Sequence, residues 1–111
     1  MGVQRFFKSQ KRKTKFVLVV PDEDSEKHGI QGIGDGGDYL VDRKVIDQVI
    51  RIKTDDATDR ARRLARENGL LVGISSGANV LAAEQWIKDN KPAFPVVTIL
   101  PDRGERYLSL F

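Results

Sequence analysis

The sequence predicts an α/β fold, a mainly parallel sheet covered by helices, and three observations carry that prediction. Short β-branched apolar runs alternate with stretches of helical periodicity. The runs are continuous rather than alternating, Phe16-Val-Leu-Val-Val20 being the clearest, which is the pattern of strands buried on both faces. The chain has 111 residues, 40% apolar and 32% charged. Burying roughly 65% of its unfolded surface gives a chain of this size one modest core. The expected organisation is therefore one domain over 1–111.

The elements follow in order. Gly2 to Gln10 predicts a short helix with Val3, Phe6 and Phe7 on one face. The basic run Lys8 to Lys15 ends it as a solvated turn, with the phenylalanines expected inside. Phe16 to Val20 is the first strand, stopped by Pro21, and Asp22 to Asp38 reads as a glycine-rich loop. A short helix from Asp42 feeds a second strand, Val49 to Ile52. Thr54 is the expected N-cap of the next helix, with Asp55 and Asp56 in the first turn, where the helix dipole favours anions. Ala57, Ala61, Leu64 and Ala65 make its apolar stripe and Gly69 its stop. Leu70 to Ile74 reads as a third strand, running through Ser75-Ser76-Gly77 into a helix from about Ala78 to Asp89 that buries Val80, Ala83 and Ile87. After Pro92 and Pro95, Val96 to Leu100 is a fourth strand.

Composition narrows the function classes. The longest apolar run is far short of the ~20 residues a bilayer span needs, so no membrane partner is expected. With no cysteine, disulfides, thiolate metal sites and a cysteine nucleophile are all excluded. Nineteen basic groups against 16 acidic ones are too even to imply nucleic acid. The basic first fifteen residues lack an apolar h-region, which points to the cytoplasm.

Three constellations bear on chemistry. Gly73-Ile-Ser75-Ser-Gly77 lies on a strand-to-helix turn, where backbone N–H groups carry partial positive charge and a hydroxyl reaches a ligand. The bland alternative is that Ser76 caps the helix and Ser75 is a turn residue. The same residues satisfy the nucleophile-elbow pattern G-x-S-x-G, but the only histidine, His28, precedes Ser75, against the order of an elbow hydrolase. Gly32, Gly34 and Gly37 match G-x-G-x-x-G without a strand leading in or a helix opening, so a loop approaching a ligand, or a plain surface turn, replaces the dinucleotide reading. Asp22, Glu23 and Asp24 begin an acidic loop, but Ile33 stands where a calcium loop needs its Glu. The run Lys8 to Lys15 beside Phe6 and Phe7 could contact phosphates, though a solvated helix end is the simpler reading, and no metal site is expected.

Four collinear strings carry a resemblance: HGIQGIG at 28–34, VDRKVIDQVI at 41–50, ARRLARENGLLVGISSGA at 61–78 and VVTILPDRGERYLS at 96–109. Together they resemble the carboxyl-terminal part of the cysteine synthase family (O-acetylserine sulfhydrylases, with cystathionine β-synthase as a relative). The resemblance implies part of the large domain of a pyridoxal phosphate-dependent β-replacement enzyme. Such an enzyme removes a leaving group from the β-carbon of an activated serine and adds sulfide to give cysteine. It implies that Ser75 hydrogen-bonds the pyridine nitrogen of pyridoxal phosphate, and that Gly73 and Gly77 let the backbone approach the ring. Gly32, Ile33 and Gly34 would form the substrate-side loop facing a small amino-acid substrate.

The departures shape the expectation as much. The family's Schiff-base lysine, asparagine loop and phosphate-cradling glycine loop have no counterpart here, so no catalytic residue is nominated. Arg103 stands where the family carries a small hydroxyl residue. The chain is therefore expected to be inactive alone and to need the missing amino-terminal half or a homo-oligomer. The alternative is a non-catalytic binding module derived from the same family.

Overall fold

The computed structural model of the chain describes residues 2–23, 27, 29–30 and 41–110. Its elements are α1 (Gly2–Ser9), β1 (Val17–Pro21), a 3-10 turn (Arg43–Val45), β2 (Gln48–Ile52), α2 (Thr54–Asn68), α3 (Ile74–Asn90) and a 3-10 segment (Gly104–Leu110) kinked at Tyr107. The α/β prediction holds in reduced form. Among the described residues the sheet has two strands, paired in parallel from Val17↔Gln48 to Pro21↔Ile52. Pro21 is the last residue of β1 rather than its stop, and the ladder closes beyond it with Asp22 N–H donating to the Ile52 carbonyl at 2.9 Å.

One clasp sets the register. Asp47, just before β2, accepts the Phe16 N–H at 2.7 Å and Lys15 Nζ at 3.2 Å, while its own N–H donates to the Phe16 carbonyl at 2.9 Å. The Phe16 N–H, with help from Lys15, holds the Asp47 carboxyl below its ordinary pKa against the opposing effect of burial.

On β2, Ile50 and Ile52 point inward while Val49 and Arg51 face solvent, the two-residue period of a sheet covered on one side. The inner face meets Ala57 of α2 and Ile74, Ala78 and Ala82 of α3, with Ile30 fully buried among them. Burial of each isoleucine contributes about 2 kcal/mol. Trp86 packs against the edge of this core, as expected of a packing residue.

Several expectations change. β1 is half-buried through Val20, with Val17 and Val19 packed against the core. Leu70–Ile74 and Val96–Leu100 form no ladder; the single pairing there is an isolated antiparallel bridge between Val72 and Arg103. Apolar β-branched sequence favours a strand only when a neighbour supplies the backbone partners. Here Val97 and Ile99 stay 87% and 68% exposed. α3 begins at Ile74, not Ala78, and its buried face is Ile74, Ala78 and Ala82 instead of Val80, Ala83 and Ile87, the last of these being exposed. In α2, Ala57, Ala61 and Leu64 are buried as predicted and Ala65 is half-buried. Gly69 ends that helix at φ 70°, the left-handed conformation glycine adopts without strain. Phe7 packs edge-on between Phe6 and Phe16, but Phe6 itself is exposed rather than buried.

Asp47→Ala is expected to lower stability by about 1 kcal/mol at neutral pH, the scale of one hydrogen bond lost at an exposed clasp. Because the folded carboxyl sits below its unfolded value, the clasp contributes fully above the carboxylate range and fades as pH falls through the folded pKa. Urea unfolding of both proteins from pH 7 down to pH ~2.5 should therefore show the difference shrinking towards acid.

Candidate functional site

Gly73 caps α3 in an extended conformation, φ −77° and ψ 174°, and the Gly77 N–H donates to the Gly73 carbonyl at 3.2 Å. The N–H groups of Ile74, Ser75 and Ser76 precede that first helical bond and so carry the positive end of the helix dipole. Ser75 is 4% exposed and Ser76 0%, and the Ser76 hydroxyl oxygen is buried without a hydrogen-bond partner.

A second segment locks this turn. Gly73 N–H donates to the Asp102 carbonyl at 2.9 Å and Gly104 N–H to the Leu71 carbonyl at 3.0 Å, on either side of the Val72–Arg103 bridge. The Tyr107 hydroxyl donates to Asp102 Oδ2 at 3.2 Å. Burial first, and the bond to the Asp102 carboxylate second, push the Tyr107 phenol up, keeping it a protonated donor. A side chain at Gly73 would come within 2.9 Å of both Asp102 Cβ and the Tyr107 ring. Arg103 is exposed beside the turn, its guanidinium 3.5 Å from Glu105.

On its other side the turn meets α2. A Cβ at Gly77 would fall onto the Ala57 carbonyl oxygen and lie 2.9 Å from Ala61 N. Further along the same contact, Arg60 grips Glu84 through two hydrogen bonds of 3.0 and 2.5 Å.

Gly73, Ser75 and Gly77 thus share one turn. The other predicted site residues, Gly32, Ile33 and Gly34, lie outside the described residues, as does His28. The approach to that loop is described: Gly29 N–H donates to Thr54 Oγ1 at 3.0 Å and Ile30 enters the core. This corrects the role of Thr54. Lys53 is the N-cap and makes no side-chain bond, while the Thr54 N–H donates to Glu23 Oε1 at 2.8 Å. A carboxylate 31 positions away therefore caps α2, and its only sequence signal was the acidic cluster Asp22 to Asp24. Asp102 and Tyr107 were legible only within the string that carried the family resemblance. Ser75 does not stand out as an elbow nucleophile does, since it lies buried inside the first helical turn. Among the described residues no three potential metal ligands come together, and no helix is long and apolar enough to cross a membrane.

No family model matches the chain. Individual proteins do. Cysteine synthase A of Escherichia coli is 42% identical over 130 residues, covering 97% of this chain and 39% of the relative. Cysteine synthase of Staphylococcus aureus is 35% identical over 116 residues, covering 97% of this chain and 37% of the relative. The crystal structure of cysteine synthase from Entamoeba histolytica superposes with a TM-score of 0.88 at 36% identity, over 97% of this chain and 35% of that one. The chain is a relative of the cysteine synthases. It spans a little over a third of the length of the cysteine synthases it matches. The structural match to that cysteine synthase runs over nearly the whole chain.

The close contact at Gly77 yields a prediction opposite to helix propensity. In an open helix, Gly→Ala stabilises by about 1 kcal/mol. Gly77→Ala should instead destabilise by about 1–3 kcal/mol through overpacking against Ala57 and Ala61. Chemical denaturation beside Ala82→Gly, a control in the same helix, measures it.

Proposed function

We propose that this chain forms the pyridine-facing wall of a pyridoxal phosphate-dependent β-replacement site, the reaction being O-acetylserine plus sulfide to cysteine, in the cytoplasm. The observation that carries the reading is the Ser75 hydroxyl, buried in the first turn of α3 beside N–H groups with no helical acceptor. The donor set suits the group. A hydroxyl both donates and accepts, so it orients a pyridine nitrogen without requiring its protonation. The positive end of α3 disfavours a pyridinium at that point. The nearest carboxylate on the locking segment, Asp102, is engaged by Tyr107.

When bound, pyridoxal phosphate supplies the electron sink that lets a leaving group depart from the β-carbon. The chain's own residues orient it. Ser75 addresses the ring nitrogen. Gly73 holds the turn through the Asp102 carbonyl, and Gly77 seats the turn against α2. The loop Gly32-Ile33-Gly34 is proposed for the substrate side, and Arg103 adds a cation at the rim.

The lysine, the phosphate cradle and the asparagine loop are proposed to come from segments outside these residues, in a complementing half. The kinship over about 37% of a cysteine synthase supports this. So does Val96–Leu100, an apolar exposed run that joins no ladder among the described residues.

Co-expressing the chain with the part of E. coli cysteine synthase A that has no counterpart here tests the reading. The chain alone should form no cysteine, and the pair should form it from O-acetylserine and sulfide. Ser75→Ala should lower turnover about tenfold, the scale of one hydrogen bond to a reacting system. It should also shift the visible absorption of the bound cofactor. Assembly and activity indifferent to Ser75→Ala would refute the role of that hydroxyl.

A further inference from the structure

A cleft of about 300 Å³ separates α1 from the 3-10 turn before β2. Phe16 and Asp47, which immediately precede the two strands, lie on its wall. The cleft therefore opens at the amino ends of the parallel strands, whereas α/β proteins hold their reaction ligands at the carboxyl ends. A second hollow of about 190 Å³ shares Gln4, Lys8 and Val45 with it.

Its charge is one-sided. Lys8, Arg12 and Lys44 line it, and among the described residues none of the three has an ion-pair partner. The one carboxylate on the wall, Asp47, is committed to Phe16 N–H and Lys15. Asp42, on the adjoining hollow, accepts the Lys44 N–H at 3.0 Å, which fixes the backbone from which the Lys44 side chain extends. Residues 1–21 contain six lysines and arginines and no acid, so no carboxylate in that stretch offsets their charge. Lys8 stands in the last turn of α1, where the helix's negative end favours a cation and keeps it at the cleft. Thr14 and Gln4 add neutral hydrogen-bonding groups to the same wall.

We propose that this cleft binds an oxyanion of the phosphate class, as free phosphate or as the phosphate of a small metabolite. Three cations lining one open hollow that a hydroxyl and an amide also line match a tetrahedral oxyanion with several acceptor oxygens. The hollow is larger than one such anion, which leaves space for a group attached to it. The site is separate from Ser75 and needs no bound cofactor.

Calorimetric titration of the purified full chain with inorganic phosphate and, in a separate arm, with adenosine monophosphate tests this at low ionic strength. Saturable one-to-one binding of phosphate is expected, weakening as salt rises. Lys8→Glu and Lys44→Glu should each weaken it by about tenfold or more, and Lys88→Glu, on the last turn of α3, should leave it unchanged. Circular dichroism verifies the fold of each variant, and Lys8→Gln and Lys44→Gln serve if a reversal unfolds the chain. Adenosine monophosphate binding tighter than phosphate assigns the wider hollow to an attached group; equal affinity assigns the free anion. No saturable binding in either arm, or equal loss in Lys88→Glu, overturns the proposal.

Discussion

The approach of α3 to α2 at Gly77 is the constraint on which the rest of the structure depends. The missing side chain lets the first turn of α3 lie directly against the Ala57 carbonyl and the Ala61 backbone, so small residues on both helices bring the axes together. That contact places Ser75 and Ser76 inside the molecule, where a hydroxyl at a helix start is shielded from water. It also turns Ile74, Ala78 and Ala82 towards the sheet, where they complete the core begun by Ile50 and Ile52. Any larger residue at 77 would shift both the core face and the turn, and the two cannot be adjusted separately.

The chain applies one device three times: a residue remote in sequence satisfies the backbone at the end of an element. Asp47 does this for Phe16 at the head of β1, and Glu23 does it for Thr54 at the head of α2. The Asp102 carbonyl does the same for Gly73 at the head of α3. In a parallel two-stranded sheet the ladder is short, and such end bonds supply register that longer sheets obtain from more strands. The same economy leaves Val96–Leu100 exposed and outside any ladder among the described residues, tied to α3 by Asn79 Nδ2 donating to the Ile99 carbonyl at 2.9 Å.

α2 was legible because every signal for it is local. Ala57, Ala61 and Leu64 recur at helical spacing, acids open it and Gly69 closes it, and none of these depends on the fold. The turn at 73–77 was legible as the start of a helix, but that start was displaced by one helical turn. The strand propensity of Leu70 to Ile74 concealed the start of α3, because propensity for a strand is realised only in a ladder. The Thr54 cap was misassigned for a related reason. Its hydroxyl is taken by Gly29 and its N–H by Glu23, partners 25 and 31 positions away. In the site, Ser75 could be picked out from five residues, whereas the Asp102–Tyr107 lock joins a segment about thirty residues later to the same turn.

By itself, the sequence determined the class of the fold, the amphipathic α2 with its glycine stop, the parallel character of the strands read at Phe16–Val20 and Val49–Ile52, and the kinship with cysteine synthases. These follow from periodicity, local sterics and motif identity, which act over a few residues. Only the tertiary structure decided where α3 begins and which face it buries, which apolar runs become strands, and what caps each element. Those outcomes depend on hydrogen-bond partners and packing surfaces brought together from distant parts of the chain. An unpaired strand or an uncapped helix end has no preferred state until such partners arrive.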